Sequence, residues 1–227
     1  MNKQAVEKRI ASSGITLDLH SIFLTIQGEG PFSGERAVFV RLAGCNLQCP
    51  GCDTDYTEGR KEVPAEDVLS IVLALHPAPA LVVITGGEPF RQNITPITEA
   101  LIMLGYRVQI ETNGSLPPSP EFPTDATIVC SPKTGSVHPV IADRADCFKY
   151  VIHADSVNPD DGLPLRALDH TCKPHVYRPR TPVPIYLQPM DVVNIAQNER
   201  NTQAAVKSCM KYGYILQLQI HKIIGVE

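Results

Sequence analysis

No stretch of the chain approaches the roughly 20 consecutive apolar residues that a membrane-spanning helix needs, and no membrane partner is expected. The first twenty residues, MNKQAVEKRIASSGITLDLH, lack the apolar core of an export signal, which points to the cytoplasm. No block of like charge appears either. Twenty Lys and Arg against 24 Asp and Glu leave a formal charge of −4. Nucleic acid is therefore not expected as a partner, because phosphate neutralisation needs concentrated cations. Internal repeats and low-complexity segments are absent. Nor do the seven cysteines suggest a disulfide framework, since the number is odd and three of them crowd into residues 45–52. In a reducing compartment that pattern reads as metal binding or catalysis. What remains is a chain of 227 residues, 43% hydrophobic and 19% charged, able to bury a core as one domain spanning 1–227.

Six short, β-branched apolar runs recur, at residues 37–43, 80–84, 107–110, 126–130, 147–152 and 184–187. Each is strand-like in length and composition. Helical stretches lie between several of them. Pro64 suits a first helical position, with Glu66 and Asp67 in the first turn and Leu69, Val72 and Leu73 on one face. Residues 94–104 and 194–211 read similarly. Strands alternating with helices predict right-handed βαβ units and a mostly parallel sheet. Two proline-rich stretches interrupt the rhythm, a loop at 117–124 and an irregular insertion at 155–182. The strands end in polar clusters at residues 44–54, 85–89, 111–114, 131–133 and 188–191. Five such clusters on one rim are the layout of an α/β barrel enzyme. The expected fold is α/β, a shortened, partial (β/α) barrel.

Cys45, Cys49 and Cys52 form a C-x3-C-x2-C pattern on a loop just past a strand. Three thiolates this close can hold a zinc ion, or three irons of a cubane cluster. Structural zinc wants a fourth ligand. Cys130, Cys147 and Cys209 have no suitable neighbour, but Cys172 and His175 make a C-x-x-H pair that keeps a zinc-stabilised binding module open. The other reading is a [4Fe–4S] cluster with one iron left to chelate a small molecule. Buried free thiols are a third.

The cysteine pattern after one strand, with Gly86-Gly87-Glu88-Pro89 after the next, resembles the radical S-adenosylmethionine (SAM) enzymes. More narrowly, residues 26–30 (IQGEG), 40–45 (VRLAGC), 52–54 (CDT), 85–89 (TGGEP), 111–114 (ETNG), 131–133 (SPK) and 219–222 (QIHK) resemble the 7-carboxy-7-deazaguanine synthase family. Only the N-terminal extension 1–20 and residues 155–182 fall outside these matches. The resemblance implies a radical SAM fold and a lyase of queuosine or related 7-deazaguanine biosynthesis. Such an enzyme converts 6-carboxy-5,6,7,8-tetrahydropterin to 7-carboxy-7-deazaguanine and releases ammonia. A glycyl-radical-activating enzyme shares the cluster and SAM motifs, but it leaves Gln27, Arg41 and His221 without a purpose.

Residue by residue, the resemblance implies that Cys45, Cys49 and Cys52 ligate the [4Fe–4S] cluster and that SAM chelates the remaining iron. Asp53, Gly86, Gly87 and Glu88 would serve SAM, with the glycines letting backbone approach its methionine part and Glu88 accepting from its ammonium. Ser131, Pro132, Lys133, Gln188, Pro189, Met190 and Asp191 would hold the ribose and adenine side. Ile26, Gln27, Gly28, Glu29 and Thr85 would read the pterin, and Arg41 has the planar fork to anchor its carboxylate. Thr54 resembles the family's Mg²⁺ ligand. His221 and the terminal carboxylate of Glu227 would reach the substrate from a tail whose Ile220, Ile223, Ile224 and Val226 could pack near the barrel mouth. A homodimer and an electron donor such as flavodoxin or ferredoxin are implied as well. Two departures stand out. Gly51 occupies a position usually aromatic and set against the adenine, and Arg91-Gln92 stand where apolar residues are usual.

Overall fold

A computed structural model of the chain describes residues 2–78, 80–168 and 175–226. Nine strands form one sheet: β1 (Thr16–Ile26), β2 (Arg36–Leu42), β3 (Lys61–Pro64), β4 (Leu81–Gly86), β5 (Arg107–Thr112), β6 (Thr127–Cys130), β7 (Cys147–Ile152), β8 (Ile185–Pro189) and β9 (Ile215–Leu216). Their spatial order is β3-β1-β2-β4-β5-β6-β7-β8-β9. From β2 to β9 every neighbouring pair is parallel, while β1 pairs antiparallel with both β2 and β3. The sheet ends at β3 and β9, so it is open and mostly parallel, as a partial barrel should be.

Five helices complete the fold: α1 (Ala65–Leu75), α2 (Thr95–Met103), α3 (Pro139–Arg144), α4 (Ile195–Tyr212) and α5 (Ile220–Ile224). One face of the sheet packs on them. Val38, Val40 and Leu42 of β2, Val82 and Ile84 of β4, and Phe148, Tyr150 and Ile152 of β7 share a buried core with Val68 and Val72 of α1 and Leu101 of α2. Side chains alternate along a strand, so the residues between these point to the other face. There lie Arg41, Thr85, Glu111, Lys149 and Gln188, beneath the loops that follow the strands. An apolar patch of Ala37, Leu81 and Val83, packed by Phe32 and Phe39, fills that face lower down.

All six expected strands and three helices are present, with small differences at their ends. Pro64 closes β3 and precedes α1 instead of opening it, because its φ of −55° and ψ of 138° are extended. Strands β1, β3 and β9 were not legible. The first two run antiparallel at an edge and do not follow the strand–helix alternation. Residues 117–124 form a loop. The described part of 155–182 is irregular, held by a short 3-10 turn at Ala154–Ser156, a Val157–Pro164 bridge and the Arg178 fork on Asp161.

Candidate active site

The polar clusters after β2, β4, β5, β6 and β8 do converge on one rim, around a cavity of ≈350 Å³. Such a volume suits a small-molecule site. Cys45, Cys49 and Cys52 line one side of it. Cys45 and Cys49 are buried, while Cys52 is half-buried. Burial pushes the Cys45 thiol up to about 12 and raises that of Cys52. Left alone, these thiols stay protonated at neutral pH. An electron-poor iron site is the partner that turns them into thiolates, so the donor set suits a cluster. Among the described residues, no three His, Cys, Asp or Glu side chains converge as ligands of a single metal ion. Cys172, half of the C-x-x-H pair considered for zinc, lies outside the described residues.

The loops beneath the cysteines are pressed together by glycine. Gly86 sits at φ +125°, and a Cβ there would lie 2.0 Å from the Leu42 carbonyl oxygen. A Cβ on Gly87 would lie 2.0 Å from the Gly44 carbonyl oxygen. Hydrogen bonds from Gly87 N to Leu42 O (3.2 Å) and from Glu88 N to Gly44 O (3.0 Å) lock the contact. The first demand for glycine therefore comes from the neighbouring loop, not from a ligand. Glu88 departs further from expectation. It is fully buried, does not line the cavity, and accepts from Thr112 Oγ1 (2.7 Å), Asn113 N (2.8 Å) and Phe90 N (3.1 Å). Burial outweighs these donors and raises its pKa to about 7. Its work is to set the turn after β5, whose Asn113 bonds Asn46 of the cysteine loop at 3.0 Å.

Opposite the cysteines lies a network that the sequence showed only in part. Lys149, buried on β7, forms ion pairs with Glu29 and with Glu111 (3.2 Å). Glu111 also accepts from Gln27 and Gln109, each at 3.0 Å. Gln219 donates to Glu29 at 2.9 Å. Burial alone would raise the Glu29 carboxyl, but the Lys149 ammonium overrides it and holds the group well below the ordinary carboxylate range. Lys149 is shifted upward by the same pairs, against its own desolvation. Neither Lys149 nor Glu111 stands out as a site residue in the sequence. The available signal was a lysine at an inward position of an otherwise apolar strand.

Arg41 lies over the Phe23 ring at 4.9 Å, and that ring stacks on Phe39. Arg41, Thr85, Ile26, Gln27 and Glu29 all line the cavity, as do Ser131, Lys133, Gln188, Met190, Asp191, Asp53 and Thr54. Gly28, Pro132 and Pro189 do not. Gly28 instead makes room for the tail, because a Cβ there would meet His221 Nδ1 at 1.9 Å. His221 reaches the cavity from α5, and burial lowers its pKa. The tail is not held by its apolar side chains as expected: Ile223 is 68% and Ile224 53% exposed. Polar contacts dock it instead. Lys222 bonds Asp53 (3.1 Å) and Asp191 (3.3 Å), and Gln217 bonds Gly30 N and Gln188. A five-residue helix is too short to bury both a histidine and a greasy stripe. Glu227 lies outside the described residues. At Gly51, the Met190 side chain occupies the space beside the Cα, since a Cβ there would stand 2.8 Å from Met190 Cε and 3.3 Å from the Leu168 carbonyl oxygen.

Residues 40–123 match the family described as the radical SAM superfamily. A 7-carboxy-7-deazaguanine synthase of Rhodospirillum rubrum is 41% identical over 220 residues, covering 94% of either chain. The chain belongs to the 7-carboxy-7-deazaguanine synthase family. A second relative of that name, from Rickettsia prowazekii, is 36% identical over 96% of this chain and 92% of its own. The crystal structure of QueE from Escherichia coli shares the fold, with a TM-score of 0.70 at 24% identity over 92% of this chain and 99% of that one. Membership in the 7-carboxy-7-deazaguanine synthase family brings a [4Fe–4S] cluster and SAM as cofactors and removes the zinc module from consideration. Among the described residues no helix is long and apolar enough to cross a membrane.

Proposed function

We propose that this chain is a radical SAM lyase that converts 6-carboxy-5,6,7,8-tetrahydropterin to 7-carboxy-7-deazaguanine with release of ammonia, within 7-deazapurine biosynthesis. The observation that supports it most is one cavity shared by the three cysteines and, facing them, an arginine and a buried Gln–Glu–Lys network. When bound, the cluster and SAM supply one-electron cleavage of a sulfonium and hence the radical that removes a substrate hydrogen. The chain's own residues bind and orient. Cys45, Cys49 and Cys52 would hold the cluster. Ser131, Lys133, Gln188, Met190 and Asp191 would border SAM, with Lys133 bonded to its own strand end through Ser131 (2.7 Å to O, 2.6 Å to Oγ).

Arg41 would take the pterin carboxylate through its planar fork, supported by the Phe23 ring beneath it. Gln27 and Glu111, fixed to each other, offer an amide and a carboxylate to the donor-rich edge of a 2-aminopyrimidinone. His221, with its pKa lowered by burial, is neutral at pH 7 and can accept or donate a hydrogen bond at the mouth. Thr54 is the proposed Mg²⁺ contact, with waters and substrate oxygens completing the shell. One catalytic unit over 1–227, a homodimer, and a flavodoxin- or ferredoxin-type donor belong to the same proposal.

Arg41→Lys tests the carboxylate anchor. Lysine keeps the charge and loses the bidentate fork, at a cost of about 1.5–3 kcal/mol for a charge-assisted hydrogen bond. Pterin affinity, measured by equilibrium binding, is expected to fall by about 10- to 150-fold, with substrate-free SAM cleavage close to parental. Parental pterin affinity in the variant would remove Arg41 from the substrate site.

A further inference from the structure

The segment ahead of β1 carries none of the family's motifs, yet it runs along the outside of the cysteine loop. Val6 bridges Cys45 in parallel, and Glu7 N donates to Cys45 O at 2.7 Å. Asn2 N reaches Pro50 O (3.2 Å), and Gln48 Nε2 reaches Gln4 O (2.7 Å). The Gln4 side chain behaves like a strand neighbour. Its Oε1 accepts from Tyr56 N at 2.7 Å, and its Nε2 donates to Thr54 O at 2.9 Å. The Thr54 carbonyl has a second, longer donor in the Cys52 thiol, at 3.8 Å. A cysteine that ligates iron has no thiol proton to give, which leaves the Gln4 amide to hold this carbonyl.

The far end of the segment is bolted down by charge. Glu7 pairs with Arg60 and with Arg91 Nη1 (3.1 Å), and Ile10 N donates to Arg91 O at 2.7 Å. Arg91 is 2% exposed and also binds Asp18 (2.6 Å) and Ala43 O (3.0 Å). Its guanidinium lies flat under Gly44, where a Cβ would approach it to 2.5 Å. Gln92 closes the arrangement by bonding both Asp18 N (2.8 Å) and Asp18 O (3.0 Å). The unusual Arg91 is thus the anchor of the N-terminal segment, and Gln92 fixes the β1 residue Asp18 that Arg91 also binds.

We propose that residues 2–10 are a splint for the cysteine loop, and that Gln4 is a positioning residue that holds the Thr54–Tyr56 backbone and, through it, Cys52 in register with the cavity. This rests on the reading of that loop as the cluster site. Gly44 N and Tyr56 O close the loop base at 2.9 Å, so between base and tip the Gln4 amide supplies both the donor and the acceptor of a missing strand. Without it, the Thr54 carbonyl and the Tyr56 N–H lose their side-chain partner on this edge, and the Cys52 side of the loop is left to the Gly51 N–Leu168 O bond (3.0 Å) and the Lys222–Asp53 pair (3.1 Å).

The test uses full-length protein loaded with iron and sulfide under anaerobic conditions. Gln4→Met keeps the length and removes the side chain's bonds to Tyr56 N and Thr54 O together with those to Thr57 Oγ1 (3.3 Å) and Asn2 Oδ1 (3.2 Å), while Gln4→Glu keeps the acceptor for Tyr56 N. Iron release to a chelator is expected to quicken about tenfold in Gln4→Met, the factor for roughly one net hydrogen bond, and at least as much in Gln4→Glu, whose carboxylate turns an oxygen toward the Thr54 carbonyl. The change that SAM causes in the electron paramagnetic resonance spectrum of the reduced cluster is expected to broaden in Gln4→Met, an effect that mere loss of fold stability would not produce. Parental release and parental spectra in Gln4→Met overturn the splint. Should Gln4→Met not fold, parental release in Gln4→Glu does so. A parent protein that takes up no iron and sulfide overturns the cluster reading itself, and the splint with it.

Discussion

Cys45→Ala, Cys49→Ala and Cys52→Ala each lose the bound cluster, with iron falling from about four atoms per chain to near zero, and SAM cleavage disappears in all three. The effect is all-or-none because the family's cluster is held at three irons by three cysteines, and the described residues near the loop provide no spare thiol. Cys130 and Cys147 are buried on β6 and β7, where burial pushes both thiols upward. The fold itself is expected to survive. The three cysteines sit on a loop past β2 and none is counted in the main apolar core. Iron and acid-labile sulfide assays on anaerobic preparations, read beside circular dichroism, measure both parts. Stoichiometric zinc without sulfide in the parent, or full iron in any of the three variants, would sink the assignment.

Lys149→Met destabilises the protein by about 3–5 kcal/mol near pH 7, the range for removing one partner of a buried ion pair. Lys149 is 7% exposed and is bonded to both Glu29 and Glu111. Methionine fills most of the volume but leaves two carboxylates facing each other without a cation. The sign with pH follows from the shifts. In the parent, Glu29 is depressed below its ordinary value, so its contribution is present above pH ~4.5. That contribution is lost only as pH falls further, through the depressed folded value. Lys149 is raised, so its contribution is present below its ordinary value of about 10.4 and lost only at more alkaline pH. In the variant, burial of the Glu29 carboxyl is no longer opposed by the Lys149 ammonium, so its pKa moves upward and acidification relieves the strain of the unpaired charge. The stability gap between parent and variant should therefore narrow on acidification. Anaerobic urea titrations at pH 7.5 and 5.5 read this directly. A gap below 1 kcal/mol at pH 7.5, or one that widens at pH 5.5, would mean that the network does not carry the charge balance of the cavity.

The parallel half of the fold was legible because β2, β4, β6 and β7 are mostly apolar and β5 alternates Val108 and Ile110 with polar residues, a pattern in which one face meets the helices and the other the site. Strand β1 was not. Thr16–Ile26 mixes Asp18, His20 and Ser21 with its apolar residues; Asp18 is there to pair with Arg60 and Arg91, and β3 covers only residues 16–19 of the strand's outer side. The cysteines, Arg41, Thr85 and His221 were readable as short-range patterns, and the cavity does gather them. Lys149 escapes a reading of the sequence, and Glu111 shows only as part of the 111–114 cluster, because their meaning is a pairing between β5 and β7 that no spacing encodes. Glu88 has a recognisable motif position, but its donors from Phe90, Thr112 and Asn113 are set by packing that no spacing shows.

The most direct test of the function is turnover. Iron-loaded protein would be incubated without oxygen with SAM, dithionite and 6-carboxy-5,6,7,8-tetrahydropterin, and the mixture analysed by mass spectrometry and for ammonia. The expected result is a new species with the mass of 7-carboxy-7-deazaguanine, formed one-to-one with ammonia and absent when SAM is omitted or Cys49 is replaced by Ala. Recovery of unchanged pterin from protein shown to hold a full, reducible cluster would contradict it.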